Sequence, residues 1–62
     1  MKDKIQMYRN GWSARLHNFG GGGYYVALVR TSAGNVHDRI MTDDYRQALD
    51  YYRAFQAVAK AA

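Results

Sequence analysis

The chain has no cysteine, no proline, few acidic residues and no long apolar run. Without cysteine there can be neither a disulfide framework nor a thiolate metal site. The longest apolar run, Tyr24–Val29, is too short to cross a bilayer as a helix. Met1-Lys2-Asp3-Lys4 leads into no extended apolar segment, so no signal peptide is expected and the cytoplasm is the expected location. Only 5 Asp+Glu stand against 9 Lys+Arg, which gives a formal charge of +4. That imbalance points to an acidic partner, either nucleic acid or an acidic-surfaced protein.

What is present is 62 residues, enough for a single small domain, 1–62. A domain of this size buries only roughly 60% of the surface that its unfolded chain exposes. The apolar fraction of 48% argues against global disorder. Six Tyr, two Phe and Trp12 supply the bulk for a core that nothing covalent reinforces.

Periodicity divides the chain into strands and one helix. Ile5 and Met7 alternate with polar neighbours, and Trp12, Ala14 and Leu16 alternate with Ser13, Arg15 and His17. Period two marks strand over about 5–17. Asn10-Gly11 interrupts it, either as a bulge in one long strand or as a tight turn between two short ones. Asn18 to Gly23 reads as a turn cluster, and residues 24–31, rich in aromatic and β-branched side chains, form a second strand. Ser32-Ala33-Gly34-Asn35 is a hairpin loop before a third strand at 36–41. Thr42 is the expected N-cap of a helix over about 43–60, with Asp43 and Asp44 favoured by the helix dipole. Tyr45, Ala48, Leu49, Tyr52, Phe55 and Ala59 share its apolar face, while Asp50 is placed to pair with Arg46 and Arg53. The expected architecture is α+β: a three-stranded antiparallel sheet, with room for an extra short N-terminal strand, packed on one C-terminal helix.

One sheet face must meet that helix. Trp12, Ala14 and Leu16, Tyr25, Ala27 and Val29, and Val36 and Ile40 are assigned inward. Ser13, Arg15 and His17, Tyr24, Val26, Leu28 and Arg30, and His37, Arg39 and Met41 are then outward. In the second strand the opposite parity fits almost as well, because both faces are apolar. The outer face so drawn interleaves arginines with planar side chains, a pattern that suits phosphates and bases. The candidate nucleic-acid-binding residues are Arg9, Arg15, His17, Arg30, His37 and Arg39, with duplex DNA favoured. Tyr24, Val26 and Leu28 would form the apolar centre of a protein interface on the same face, for a partner protein or for a homodimer.

Two resemblances bear on this. Tyr25-Val26-Ala27-Leu28-Val29-Arg30, Gly34, His37 to Ile40, and Thr42-Asp43-Asp44-Tyr45-Arg46-Gln47-Ala48 together resemble the arm-binding domain of tyrosine recombinases and the plant Apetala-type DNA-binding domain. That resemblance implies that the sheet binds DNA, with Arg30 and Arg39 facing it. It implies that Ala27 and Val29 pack on Ala48 and Leu49, and that Tyr8-Arg9 is a contact segment. Gly22-Gly23-Tyr24-Tyr25-Val26, a later Gly, then a Thr and an Ala-Leu helix are similar to the sheet half of HicB-type antitoxins, which implies a protein partner.

Catalytic constellations are not found in the sequence. Gly20–Gly23 leads into a strand with no following Lys, unlike a phosphate-binding loop. His17, His37 and Asp38 lack the spacing of a zinc site, so no metal and no cofactor is expected. Ser13 and Ser32 sit in no nucleophile motif, and Asp43 and Asp44 diverge on a helix. The expectation is a small non-enzymatic nucleic-acid-binding protein of the kind phages and mobile elements encode, the alternative being a small protein-binding inhibitor.

Overall fold

A computed structural model describes residues 3–31 and 33–62. Calls on Met1, Lys2 and Ser32 fall outside the described residues. Four antiparallel strands form one sheet in the order β1-β2-β3-β4, with one helix behind it. The strands are β1 (Lys4–Met7), β2 (Trp12–Gly20), β3 (Gly23–Arg30) and β4 (Asn35–Thr42), and the helix is α1 (Tyr45–Ala61). The N-terminal stretch is therefore two strands, and Asn10-Gly11 lies in a turn. Gly11 N–H donates to Tyr8 O and Tyr8 N–H donates to Trp12 O, with Gly11 at φ 84°. This is the three-residue hairpin that ends in a left-handed glycine.

The second hairpin explains most of the glycine run. Gly21 and Gly22, at φ 64° and 88°, make a two-residue turn whose hand matches the strand twist. Phe19 is the extra residue of a bulge, so β2 reaches Gly20 and pairs with Gly23.

The core lies between sheet and helix. Ala14 and Leu16 of β2 and Tyr24, Val26 and Leu28 of β3 meet Ala48, Tyr52, Phe55 and Ala59 of α1. Tyr8, Trp12, Ile40 and Leu49 pack at its margin. The helical stripe is the one expected, with Tyr45 at its edge against Tyr24, ring centroids 5.3 Å apart. The parity of β3 is the reverse of that expected. Tyr24, Val26 and Leu28 are 7%, 0% and 2% exposed, and Tyr25, Ala27 and Val29 lie on the other face. Ala48 accordingly shares its cluster with Val26 and Leu28, and the expected packing of Ala27 and Val29 against the helix does not occur. Bulk gives the reason: Val26 and Leu28 bury more apolar area than Ala27 and Val29.

Helix α1 is held at both ends. Asp44, and not Thr42, is the N-cap: its carboxylate accepts from the N–H groups of Arg46 (3.0 Å) and Gln47 (3.5 Å). Thr42 is still paired with Tyr24 in β4 and cannot take that position. Its hydroxyl donates to Gln47 Oε1 at 2.6 Å and accepts from Asp44 N–H. At the other end Asn10 Nδ2 donates to Ala59 O at 2.7 Å and to Ala62 O at 2.9 Å. Asn10 Oδ1 accepts from Trp12 N–H, so the β1–β2 turn clasps the helix terminus. Among the described residues Asp50 makes no ion pair with Arg46 or Arg53. No helix is long and apolar enough to cross a membrane.

Two outcomes are expected in denaturation experiments. Asn10→Ala should lower stability by about 1 kcal/mol, seen as a lower urea midpoint at unchanged slope; an unmoved midpoint would mean that the helix end needs no clasp. Gly21→Ala forces a side chain into left-handed backbone and should cost about 1–2 kcal/mol. Gly23→Ala should cost little, since its Cβ would make only ordinary contact with Phe19, 3.6 Å away.

Candidate functional site

The sheet face turned away from α1 carries three cross-strand rows. Antiparallel partners point to the same side, so the register defines each row. Met7, Ser13, Val29 and Val36 form the first, Ile5, Arg15, Ala27 and Arg39 the second, and His17, Tyr25 and Met41 the third. Phe19 extends the third row, its ring 6.0 Å from that of Tyr25. The middle of the face is closed to solvent and its margins are exposed. Ser13, Ala27 and Val29 are 0%, 1% and 9% exposed although no element covers them. Ile5, Met7, Val36 and Met41 are 53%, 63%, 49% and 68% exposed.

Two arginines occupy this face. Arg15 and Arg39 flank Ala27 in one row, about 10 Å apart at two strand spacings. Arg15 Nε also donates to Ser13 Oγ at 3.4 Å, which lays the side chain along β2. The one ion pair among the described residues is His17–Asp3, so neither arginine is neutralised by a carboxylate.

Asp3 closes the corner next to His17. Its carboxylate accepts from Asn18 N–H at 3.0 Å and from His17 Nδ1 at 3.0 Å. The backbone donor of Asn18 first, and His17 second, hold the Asp3 carboxyl below its ordinary value of 3.8. The His17 ring stacks on Tyr25, with centroids 6.2 Å apart. On the opposite side, burial and then the neighbouring Tyr8 push the Tyr52 phenol above its ordinary value, which keeps it neutral in the core.

The six candidate basic residues do not share one surface. Arg15, His17 and Arg39 lie on the open face as expected. Arg30 lies opposite Trp12 on the helix side, its guanidinium 5.9 Å from the indole centroid. His37 meets the same indole edge-on at 5.1 Å. A one-residue irregularity in β4 accounts for this: Val29 pairs with Val36 while Leu28 pairs with Asp38, so His37 is the extra residue. Upstream of it the alternation inverts, and Val36, expected inward, faces out. Arg9 is exposed in the β1–β2 turn, and Tyr8 beside it is partly buried against the core. Tyr24, Val26 and Leu28, expected at the centre of a protein interface, are buried under the helix. Ile5, Met7, Val36 and Met41 hold the open face in their stead. Their signal in the sequence was the alternation of Ile5 and Met7 and the parity of Met41 with Arg39.

Among the described residues there is no pocket, and no three His, Cys, Asp or Glu side chains are grouped so as to hold a metal ion. The chemistry this face offers is that of a surface: apolar contact, two guanidinium groups with no carboxylate partner among the described residues, and an aromatic corner. No family model matches the chain, and no curated protein and no solved structure matches it either.

The Asp3 contacts make acid stability measurable. Because the folded-state value is depressed, the unfolded chain binds the proton first as pH falls, and stability drops through and below pH 3.8. Asp3→Asn should flatten that part of the stability–pH curve and leave the neutral range less affected. A curve of unchanged shape would show that the corner does not hold in solution.

Proposed function

We propose that this chain is a non-enzymatic binding module that holds an acidic-surfaced protein on its open sheet face. One observation carries the reading: an uncovered face joins exposed Ile5, Met7, Val36 and Met41 to two unneutralised arginines. Methionine, aromatic side chains and arginine are the types enriched where proteins meet, and lysine and carboxylates are depleted there. Among the described residues the face follows that composition, with no lysine and only Asp3 at its corner. A phosphate backbone would instead draw on many cations and little apolar surface. The arginines that could have made such a cluster are divided, since Arg30 stacks on Trp12 on the other side. The same charges oppose self-association: two copies joined face to face would set Arg15 and Arg39 against each other. Action by occupying a partner's surface fits an inhibitor, and a cytoplasmic setting and a phage or mobile-element origin belong to the same proposal.

Affinity capture with nuclease treatment separates the two acidic partner classes. Protein capture should survive nuclease and fall by about tenfold or more in Arg15→Glu/Arg39→Glu, whose far-ultraviolet circular dichroism should match the parent. Duplex DNA should not be shifted at low salt. Nuclease-sensitive retention, or retention indifferent to the charge reversal, would overturn the reading in favour of nucleic acid or of another surface.

A further inference from the structure

We propose that β1 is an association edge: two copies of this chain join antiparallel through Lys4–Met7 into one continuous sheet. The inference goes beyond the protein-binding reading above and does not rest on it.

Backbone alternation comes first. Tyr8 N–H donates to Trp12 O and Tyr8 O accepts from Gly11 N–H, so both polar groups of Tyr8 face β2. In an antiparallel pair, successive residues turn their backbone groups alternately toward the partner strand and away from it. Gln6 and Lys4 therefore also face β2, and the N–H and C=O groups of Ile5 and Met7 point out at the sheet edge. Among the described residues nothing pairs with Ile5 N–H, Ile5 O or Met7 N–H at that edge. Met7 O accepts from the exposed Gln6 amide at 3.3 Å, a contact that an incoming strand displaces.

The opposite edge is closed to the same use. Carried through β2 and β3, the alternation turns Arg39 and Met41 outward on β4. There Asp38 Oδ1 accepts from Arg39 N–H at 2.8 Å. The extra residue His37 breaks the ladder, and Asp38 and Arg39 place charge beside it. Bulges and charged side chains are what keep strand edges from pairing. Over Ile5, Gln6 and Met7 the β1 edge has neither.

Self-complementarity then selects the occupant. Centring the pairing on Gln6 sets Ile5 of each copy opposite Met7 of the other, and Gln6 opposite Gln6. This register alone pairs both outward residues of β1 with strand residues of the second copy. Its two-fold axis stands normal to the sheet, so Ile5 and Met7 of both copies meet on the open face. These side chains are 53% and 63% exposed in the single chain, and the pairing covers them in part. Lys4 lies opposite Tyr8, and the two Arg15 side chains are three strand spacings apart, about 14 Å or more. Edge-to-edge union thus avoids the arginine repulsion of a face-to-face one. Four residues per copy make a small interface, of the weak and concentration-dependent class.

The absence of cysteine makes the register testable. Gln6→Cys sets two thiols in a non-hydrogen-bonded pair with Cα atoms about 4.5 Å apart, within disulfide reach. Lys4→Cys offsets them by about 13 Å along the strands. Met41→Cys places the thiol on the other edge, at a position 68% exposed. Each full-length variant is treated with oxidised glutathione at matched concentration, and covalent dimer is read by intact mass. Gln6→Cys should cross-link about tenfold or more faster than either of the others, because pairing raises the effective thiol concentration. Adding Ile5→Lys should bring its rate down to theirs while far-ultraviolet circular dichroism stays unchanged. Sedimentation of the unsubstituted chain should show a mass that climbs toward the dimer with concentration. Equal rates for the three variants, a faster rate at Lys4→Cys or Met41→Cys, or a monomer mass at every soluble concentration would overturn the inference. Each of those results would leave the protein-binding reading standing.

Discussion

Contact between β3 and α1 sets the parity on which the rest of the molecule depends. Val26 and Leu28, beside Leu16 and Ala14, are the side chains that Ala48, Tyr52, Phe55 and Ala59 cover. Once those positions face the helix, each odd-numbered residue of β3 faces away from it. Cross-strand pairing passes that assignment to β2 and β4, and through β2 to β1. A chain with one helix can cover one face of a four-stranded sheet and no more. With one helix on one side, the described residues leave the other face of the sheet open.

The same economy explains how the helix is anchored. A helix of 17 residues is marginal in isolation, and its termini leave backbone groups without partners. Asp44 and Thr42 satisfy the N-terminal end from adjacent sequence, and Asn10 satisfies the C-terminal end from the far side of the chain. The β1–β2 turn therefore has a second role beyond reversing direction. Thr31 Oγ1 donates to Gly11 O at 2.6 Å and ties the end of β3 to that turn. Turn, strand end and helix end form one corner, close to the Trp12, Arg30 and His37 group. The open face lies beyond that corner, backed by the full thickness of the domain, and its side chains are free of any structural duty toward the helix.

Much of the fold was legible in the residues. Alternation in Trp12 to His17 placed the right half of β2 inward, and Thr42-Asp43-Asp44 marked the helix start to within two residues. The four-glycine run announced a turn, and three of its members, Gly20, Gly21 and Gly22, do have positive φ. Alternation was silent where both parities are apolar, as in Tyr24–Val29, and there side-chain bulk made the choice. It misled at Val36 and His37, because an unpaired residue inverts the pattern without leaving a glycine or proline to mark it. Of the candidate site, Arg15 and His17 were placed correctly because β2 alternates cleanly through them, and Arg39 because it lies beyond the irregularity at His37. Arg30 was misplaced because it belongs to β3, whose parity was the open question.

The sequence by itself determined the class of the molecule: a small basic domain without cysteine, three or four strands and an amphipathic C-terminal helix. Those are properties of composition and of local periodicity, and neighbours along the chain suffice to decide them. Tertiary structure alone decided which face of β3 is buried, where the bulges fall and what remains uncovered. Each of these depends on the fit of side chains far apart in sequence, as in the reach of Asn10 to Ala59 or the seat of Val26 beneath Ala48. The charge of +4 could be counted from residues. That two of its arginines stand bare on an apolar sheet face, while a third lies against Trp12, is a fact of register, and register is settled only when the helix docks.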